Sequence, residues 1–489
     1  MIRLGLDRKI SSDVIKLAAP VVLAMLTQTA INLADTIMVG YLPKHISIAG
    51  QSAIGYSLIV VWSMGGFLSA LGIGTQALVA RREGEGKKEA AGSVLLNAVV
   101  LSVISSIILS FLAWDLLDDL FRFLSPSEEV VRVGTSYCQW RVIGLVSMVA
   151  TASYKGFFDG LGATRVHMVA AIIMNILNLV LNYVLIFGFG PFPALQVDGA
   201  AIASMIASFV GFFLMIGWSL IPKYLKVYRH LHLPAISWKV SWSVLALSIP
   251  SGLATVVMMT GFALFFKIVG MLDEAAVETQ LQTLLAMGTA AEALITNPPD
   301  LYTAALVSRP PIFTAAAKVI TDIMSVVFMS CIALGTGTAT LVGQSLGKNN
   351  TELATKYGIE SVKIGVYATG IVGLSLIFVP ETIILAFSKD IEVINAARGT
   401  VQVMGLGNIL VAAGLVASYA LFGAGNTRYV MTVQAILHFS CLVPVAWFLA
   451  IFMDLGMTGA FGALIIYAGL LAVLMVRKFT DGSIQNIDI

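Results

Sequence analysis

Gln28, Asn32 and Asp35 fall at i, i+4 and i+7 inside a long apolar run, so a helix there carries all three on one face. An ionisable group in the middle of a membrane span costs about 3 kcal/mol on insertion scales, which makes it a functional candidate by default. Desolvation favours the neutral form of such a carboxylate, whereas a bound cation favours the charged form. A proton and a second cation therefore compete for Asp35, as exchange of one for the other requires. The bland alternative is a structural carboxylate hydrogen-bonded to a neighbouring helix.

Asn175, Asn178 and Asn182 form a second polar stripe at i, i+3 and i+7. Facing Asp35, it completes a hydrated pocket; the same residues also serve as interhelical glue, and both readings stand. Elsewhere, Lys155 and Asp159 are four apart and read as a local ion pair. Lys363, just beyond Glu360, reads as snorkelling to the interface. His167 and His438 read as packing groups.

Enzyme chemistry has no footing. There is no P-loop and no His-Glu-x-x-His, and the glycine-rich turns lack a strand–helix context. Cys138, Cys331 and Cys441 each sit in an apolar run, with no disulfide framework or metal spacing. The expectation is a non-enzyme with no resident metal and no cofactor beyond a coupling ion, H⁺ or Na⁺.

The elements that position these residues follow from composition. The chain has 489 residues, 58% hydrophobic and 11% charged, against about 25% charged in soluble domains. Polar breaks leave twelve apolar spans: 14–41, 51–80, 92–117, 130–158, 166–188, 199–221, 241–270, 316–345, 355–387, 393–422, 429–453 and 458–477. The N-terminal run continues through Asn32 and Asp35, too long for a signal peptide, and reads as a retained first span. Basic residues collect at the N-terminus and around Arg81/Arg82, Lys87/Lys88, Lys223/Lys226 and Arg477/Lys478, while acids mark the opposite turns. The positive-inside rule then places both termini in the cytoplasm of a multi-pass protein of the cytoplasmic (inner) membrane. A net charge of +2 gives no reason to invoke nucleic acid.

The chain also repeats itself. Ala70–Val79 recurs as Ala333–Val342, and Gly160-Leu-Gly-Ala-Thr-Arg165 as Gly423-Ala-Gly-Asn-Thr-Arg428, both 263 residues on. Pro20 matches Pro250 at offset 230. Six spans per half put both halves into the membrane from the same side. The expected fold is all-α: twelve transmembrane helices in two parallel six-helix repeats about a pseudo-two-fold along the membrane normal. The lobes are expected at 1–222 and 241–489, joined by a cytoplasmic linker at 223–240. The change of offset locates an outer-face surplus near 280–314, read as a loop with one short helix over Glu278–Leu294.

Taken together, Leu17-Ala-Ala-Pro20, Asn32-Leu-Ala-Asp35-Thr36-Ile-Met-Val-Gly40, Gly72-x-Gly74-Thr75, Gly160-x-Gly162-x-Thr164-Arg165, Asn178-x-x-x-Asn182 and Val197-Asp198-Gly199-Ala200-Ala201 resemble the multidrug and toxic compound extrusion (MATE) transporters over essentially the whole chain. The resemblance implies export of organic cations and drugs in exchange for Na⁺ or H⁺ by rocking two lobes. It places Asp35 at the family's first-helix carboxylate and Asn178 at its fifth-helix polar position. Asn182 stands where some members carry a second aspartate. Another branch uses acids in helices seven and ten; here 247–270 and 401–422 contain none, which argues against a second-lobe Na⁺ site. The expected function is secondary efflux of small organic, cationic substrates by a chain acting as a monomer in the lipid bilayer. Asp35, Asn178 and Asn182 couple the ion, with Gln28, Asn32 and Asn175 lining the pocket. The alternative of related architecture is a lipid-linked precursor flippase, which needs a basic cavity that the spans do not supply. An intramembrane enzyme or receptor fits the symmetric repeat less well.

Overall fold

The computed structural model describes residues 5–124, 127–286 and 312–482, together with which side chains pack where for most of them. The side chains of Asn32 and Asp35 lie outside the described residues, as does most of the surplus near 280–314.

Long apolar stretches with few internal breakers form helices, because a membrane interior leaves the backbone no other partner. The first half contains α1 (Arg8–Gly40), α2 (Lys44–Ser69), α3 (Leu71–Gly84), α4 (Lys88–Leu124), α5 (Glu128–Ile143), α6 (Leu145–Gly160), α7 (Thr164–Phe187) and α8 (Gln196–Ser219). The short α9 (Pro222–Tyr228) follows. The second half contains α10 (Trp238–Ala286), α11 (Ile312–Gly347), α12 (Thr351–Phe378), the short α13 (Pro380–Leu385) and α14 (Ile391–Gly423). It ends with α15 (Thr427–Phe452) and α16 (Gly456–Thr480). Helices α2 and α3 share one span, Ala53–Gly84. Likewise α5 and α6 follow end to end across Gly144. Among the described residues this gives twelve spans, six per repeat.

Local chemistry sets the boundaries. Asp7, Ser127, Asn350 and Asp390 accept from backbone N–H groups at the starts of α1, α5, α12 and α14. Gly162 and Gly425, 263 residues apart, turn the chain into α7 and α15 at φ of +78° and +88°, a region glycine enters without a Cβ penalty. Asp273 takes the N–H groups of Phe313 and Thr314 at 2.9 Å, capping α11 from the outer part of α10.

The duplication is a physical two-fold. A Cβ on Gly84 would meet the carbonyl of Gln344, and one on Gly347 would meet the carbonyl of Arg81. Each partner is the other's counterpart at offset 263. A Cβ on Gly343 would come within 2.8 Å of the Ala80 Cβ, its own counterpart, which puts the pair beside the axis. Within each lobe the same logic recurs: Gly160 packs on the carbonyl of Gln76, and Gly423 on that of Ala339. A contact made reciprocally by equivalent positions is the mark of a two-fold interface.

The lobes join at one end. Val14 and Ala18 of α1 cluster with Leu334 and Val416 of the second half. Val244 and Leu247 of α10 join Leu71 and Leu78. Among the described residues, the clusters that mix the halves lie toward the side of the termini, and those nearer the opposite face, such as Val39–Ile54–Ile186 or Phe265–Ile320–Phe461, draw on one half each. The protein is therefore sealed on the terminal side. Outward-facing apolar groups such as Ile104, Ile107, Phe111 and Leu116 of α4 are exposed along the span and meet lipid.

The linker is not slack. Asn97 of α4 gives its Nδ2 to the Ala235 carbonyl at 3.0 Å and takes the N–H of Ser237 at 2.9 Å on its Oδ1. Tyr228 and Tyr224 pack edge-on against Phe157 and Phe158.

Candidate ion-coupling site

The candidate site is built where α1 meets α7 and α8. Asn175, Asn178 and Asn182 are all buried, at 3%, 5% and 0% exposure, so their stripe faces protein and not lipid. A buried amide must find partners, and these partners define the site. Asn175 donates from Nδ2 to the Thr27 hydroxyl of α1 at 3.0 Å. Asn178 donates to the Ser204 hydroxyl of α8 at 3.2 Å. Asn182 donates to Asn178 Oδ1 at 3.2 Å. The stripe thus makes two ties, Asn175 to α1 and the linked pair Asn182–Asn178 to α8, both of them interhelical glue.

The Thr27–Asn175 bond fixes the register of α1 against α7. Both helices run away from the terminal side and rise about 1.5 Å per residue. Seven residues beyond the tie, the backbones of Ala34 and Asn182 stand at the same depth. The polar stripe of α7 therefore rises beside the stretch of α1 that contains Asn32 and Asp35. Gln28 is half-buried next to the tie.

Thr27 and Ser204 escaped the sequence reading. Thr27 also donates to its own Ala24 carbonyl at 2.8 Å, the ordinary way a hydroxyl settles in an apolar helix. Nothing in its type or spacing separates it from the other hydroxyls.

Two expectations need correction. Lys155 and Asp159 do not form an ion pair within 4 Å; the base nearest the Asp159 carboxylate is His167, whose Nδ1 lies 3.9 Å from Oδ2. Spacing of i, i+4 brings stems together but does not choose rotamers. His167 is accordingly more than a packing group. Lys363 reaches the start of α1: it donates to the Gly5 carbonyl and to Glu360, both at 3.2 Å. Glu360 also accepts from Ser11 at 3.0 Å and from the backbone of Asp7, so the start of α1 is pinned to α12. His438, by contrast, is held as a packing group, its Nδ1 2.8 Å from the Gln434 carbonyl and its ring against Tyr467.

The family model described as MatE matches this chain twice, at residues 20–184 and 300–448, once in each repeat. Among similar proteins, the probable multidrug resistance protein NorM of Thermotoga maritima is 25% identical over 472 residues, covering 96% of this chain and 91% of that protein. The multidrug resistance protein NorM of Burkholderia vietnamiensis is 25% identical over 473 residues, covering 96% and 93%. The fold is similar to that of a MOP superfamily transporter from Pyrococcus furiosus, with a TM-score of 0.82 at 19% identity, covering 98% of this chain and 97% of that one. It is also similar to an outward-facing conformation of a multidrug resistance MATE family transporter, with a TM-score of 0.81 at 19% identity, covering 97% and 96%.

Proposed function

We propose that this chain, which belongs to the MatE family, exports small organic substrates across the cytoplasmic membrane in exchange for an inward-moving H⁺ or Na⁺. The relatives named as multidrug resistance proteins support the substrate class. The observation that carries the coupling is the buried amide stripe Asn175, Asn178 and Asn182, tied to α1 through Asn175 at Thr27 and rising beside the segment that holds Asp35.

The cycle follows from charge. With the terminal side sealed, Asp35 is reached from the opposite face and takes up the coupling ion, its amide neighbours Gln28, Asn32, Asn178 and Asn182 completing the shell. Loading the ion neutralises the site and weakens its hold on a cationic substrate in the cleft. The lobes, 1–222 and 241–489, then rock about the two-fold seam, the ion leaves to the cytoplasm, and the recharged carboxylate favours the next substrate. Both termini and the basic loops lie on the cytoplasmic side in this reading, and one chain suffices for the cycle.

The test is dye or fluoroquinolone efflux from vesicles of purified protein under separately imposed H⁺ and Na⁺ gradients. Asp35→Asn is expected to stay folded in the membrane and lose gradient-driven efflux. Efflux at the wild-type rate from that variant rejects the mechanism, and the gradient that drives the wild type names the ion.

A further inference from the structure

Asp159 is a buried carboxylate outside the exchange site. It stands in the last turns of α6 with no exposure, and neither Oδ1 nor Oδ2 accepts a hydrogen bond. Across from it, His167 Nδ1 of α7 is also buried without a hydrogen-bond partner, 3.9 Å from Oδ2. Lys155, one turn back on α6, acts electrostatically on both. The other charged groups on elements packed against α6 are engaged elsewhere or distant. On α3 and the loop after it, Glu85 pairs with Arg81, Arg82 and Lys87, and Glu83 accepts from Tyr228. Glu89 of α4 pairs with Arg229, and Asp198 of α8 accepts from Ser136. Arg165 begins α7 and Arg141 ends α5; neither comes within 4 Å of Asp159. α11 brings only the neutral Thr340 and Gln344, and His230 of the linker lies over the ring of Phe157.

Two features argue against a merely structural carboxylate. An ion buried without hydrogen bonds costs several kcal/mol, which a packing role does not repay. The position also belongs to the seam. The Asp159 carbonyl accepts from Thr340 Oγ1 at 2.8 Å, and the next carbonyl, Gly160, accepts from Gln344 Nε2 at 2.9 Å; both donors come from the other lobe. Symmetry does not require the cluster. At offset 263 the second repeat places Ser418, Phe422 and Val430 where the first has Lys155, Asp159 and His167.

We propose that Lys155, Asp159 and His167 form a second proton-binding site behind the terminal-side seam, emptied and filled when the lobes part there. While Thr340 and Gln344 hold the seam, the carboxyl is sealed from solvent. Parting removes those two bonds and admits water, and a proton moves between the Asp159 oxygen and that water. The charge left on the cluster then biases whether the seam closes again. The place of this site in an ion-exchange cycle rests on the antiport reading above; its titration does not.

The test uses full-length protein in lipid nanodiscs, with spin labels on Lys88→Cys and Lys348→Cys, exposed positions on the two sides of the seam. Distances between the labels are followed across a pH ramp, with infrared difference spectra of carboxyl protonation taken in parallel. The wild type is expected to show a pH-dependent population of the parted state and a carboxylic-acid band that tracks it. In an Asp35→Asn background, where the exchange carboxylate cannot titrate, Asp159→Asn is expected to remove both. His167→Gln, which leaves the carboxyl in place, is expected to shift the midpoint of the band. A distance distribution that titrates identically in wild type and Asp159→Asn overturns the proposal. So does an unmoved midpoint in His167→Gln, whatever the stability of Asp159→Asn. Ion-driven efflux is measured on the same wild-type preparation: its absence rejects the antiport reading alone, and its presence with an unaltered Asp159→Asn titration rejects this inference alone.

Discussion

The asparagines of α7 show how much a single hydrogen bond decides. Asn175 is the one member of the stripe with a described bond to α1, through Thr27. Breaking it by Asn175→Ala removes about 1 kcal/mol of net bonding and leaves the Thr27 hydroxyl its own-helix carbonyl. The fold is expected to survive, while the register of α1 beside Asn178 and Asn182 loosens. Half-saturation of efflux by the coupling ion should rise about fivefold, with the maximal rate less affected, as read from initial rates at graded ion concentration. Unchanged half-saturation would mean that the stripe holds helices together and does nothing for the ion. The spacing of the three asparagines was legible because amides recurring on one helical face are rare in an apolar run. Their hydroxyl partners, Thr27 and Ser204, were not, since choosing among many membrane hydroxyls requires knowing which helices touch.

At the scale of elements, the glycines of α3 and α11 set the closure. Gly84 and Gly347 each approach a carbonyl of the opposite helix so closely that a methyl group forces the backbones apart. Such overpacking costs about 1–3 kcal/mol, or roughly a 5- to 150-fold loss in the ratio of sealed to parted molecules. Because the contact is reciprocal, Gly84→Ala and Gly347→Ala should weaken the seal by similar amounts. The distance between spin labels at Lys88→Cys and Lys348→Cys measures both. A strong effect at one position and none at the other would show that the two-fold relation does not govern closure. The repeat in the sequence disclosed that 84 and 347 are equivalent; it did not disclose that the two helices meet at these positions.

The whole molecule is tied together by the linker between the lobes, and that tie should respond to pH. His230 is buried at 1% exposure with neither ring nitrogen hydrogen-bonded, and burial holds its pKa below the ordinary histidine value. The unfolded chain therefore binds this proton more readily than the folded one. The folded state is destabilised progressively as pH falls through about 6.5 toward the lower folded value, with a slope of at most about 1.4 kcal/mol per pH unit. Thermal unfolding of the purified protein should move to lower temperature over that window, and His230→Phe should flatten the dependence. A variant as acid-sensitive as the wild type would place the pH response elsewhere. The linker also packs its two tyrosines on the first lobe, so it travels with that lobe and any hinge lies nearer α10.

Composition and repetition alone determined that this chain spans a membrane, that it does so twelve times, and that its halves are equivalent. Hydrophobic run length and recurrence at one offset are properties of the linear chain, and lipid leaves the backbone little choice but helix. The same one-dimensional record singled out Asp35 and the asparagine stripe, because polar groups stand out against an apolar background. Which helices touch was decided only in three dimensions. The reciprocal glycine seam, the hold of Glu360 and Lys363 on the start of α1, and the approach of His167 to Asp159 are contacts between residues remote in sequence. Their geometry comes from packing two lobes against each other, and local periodicity carries no record of that.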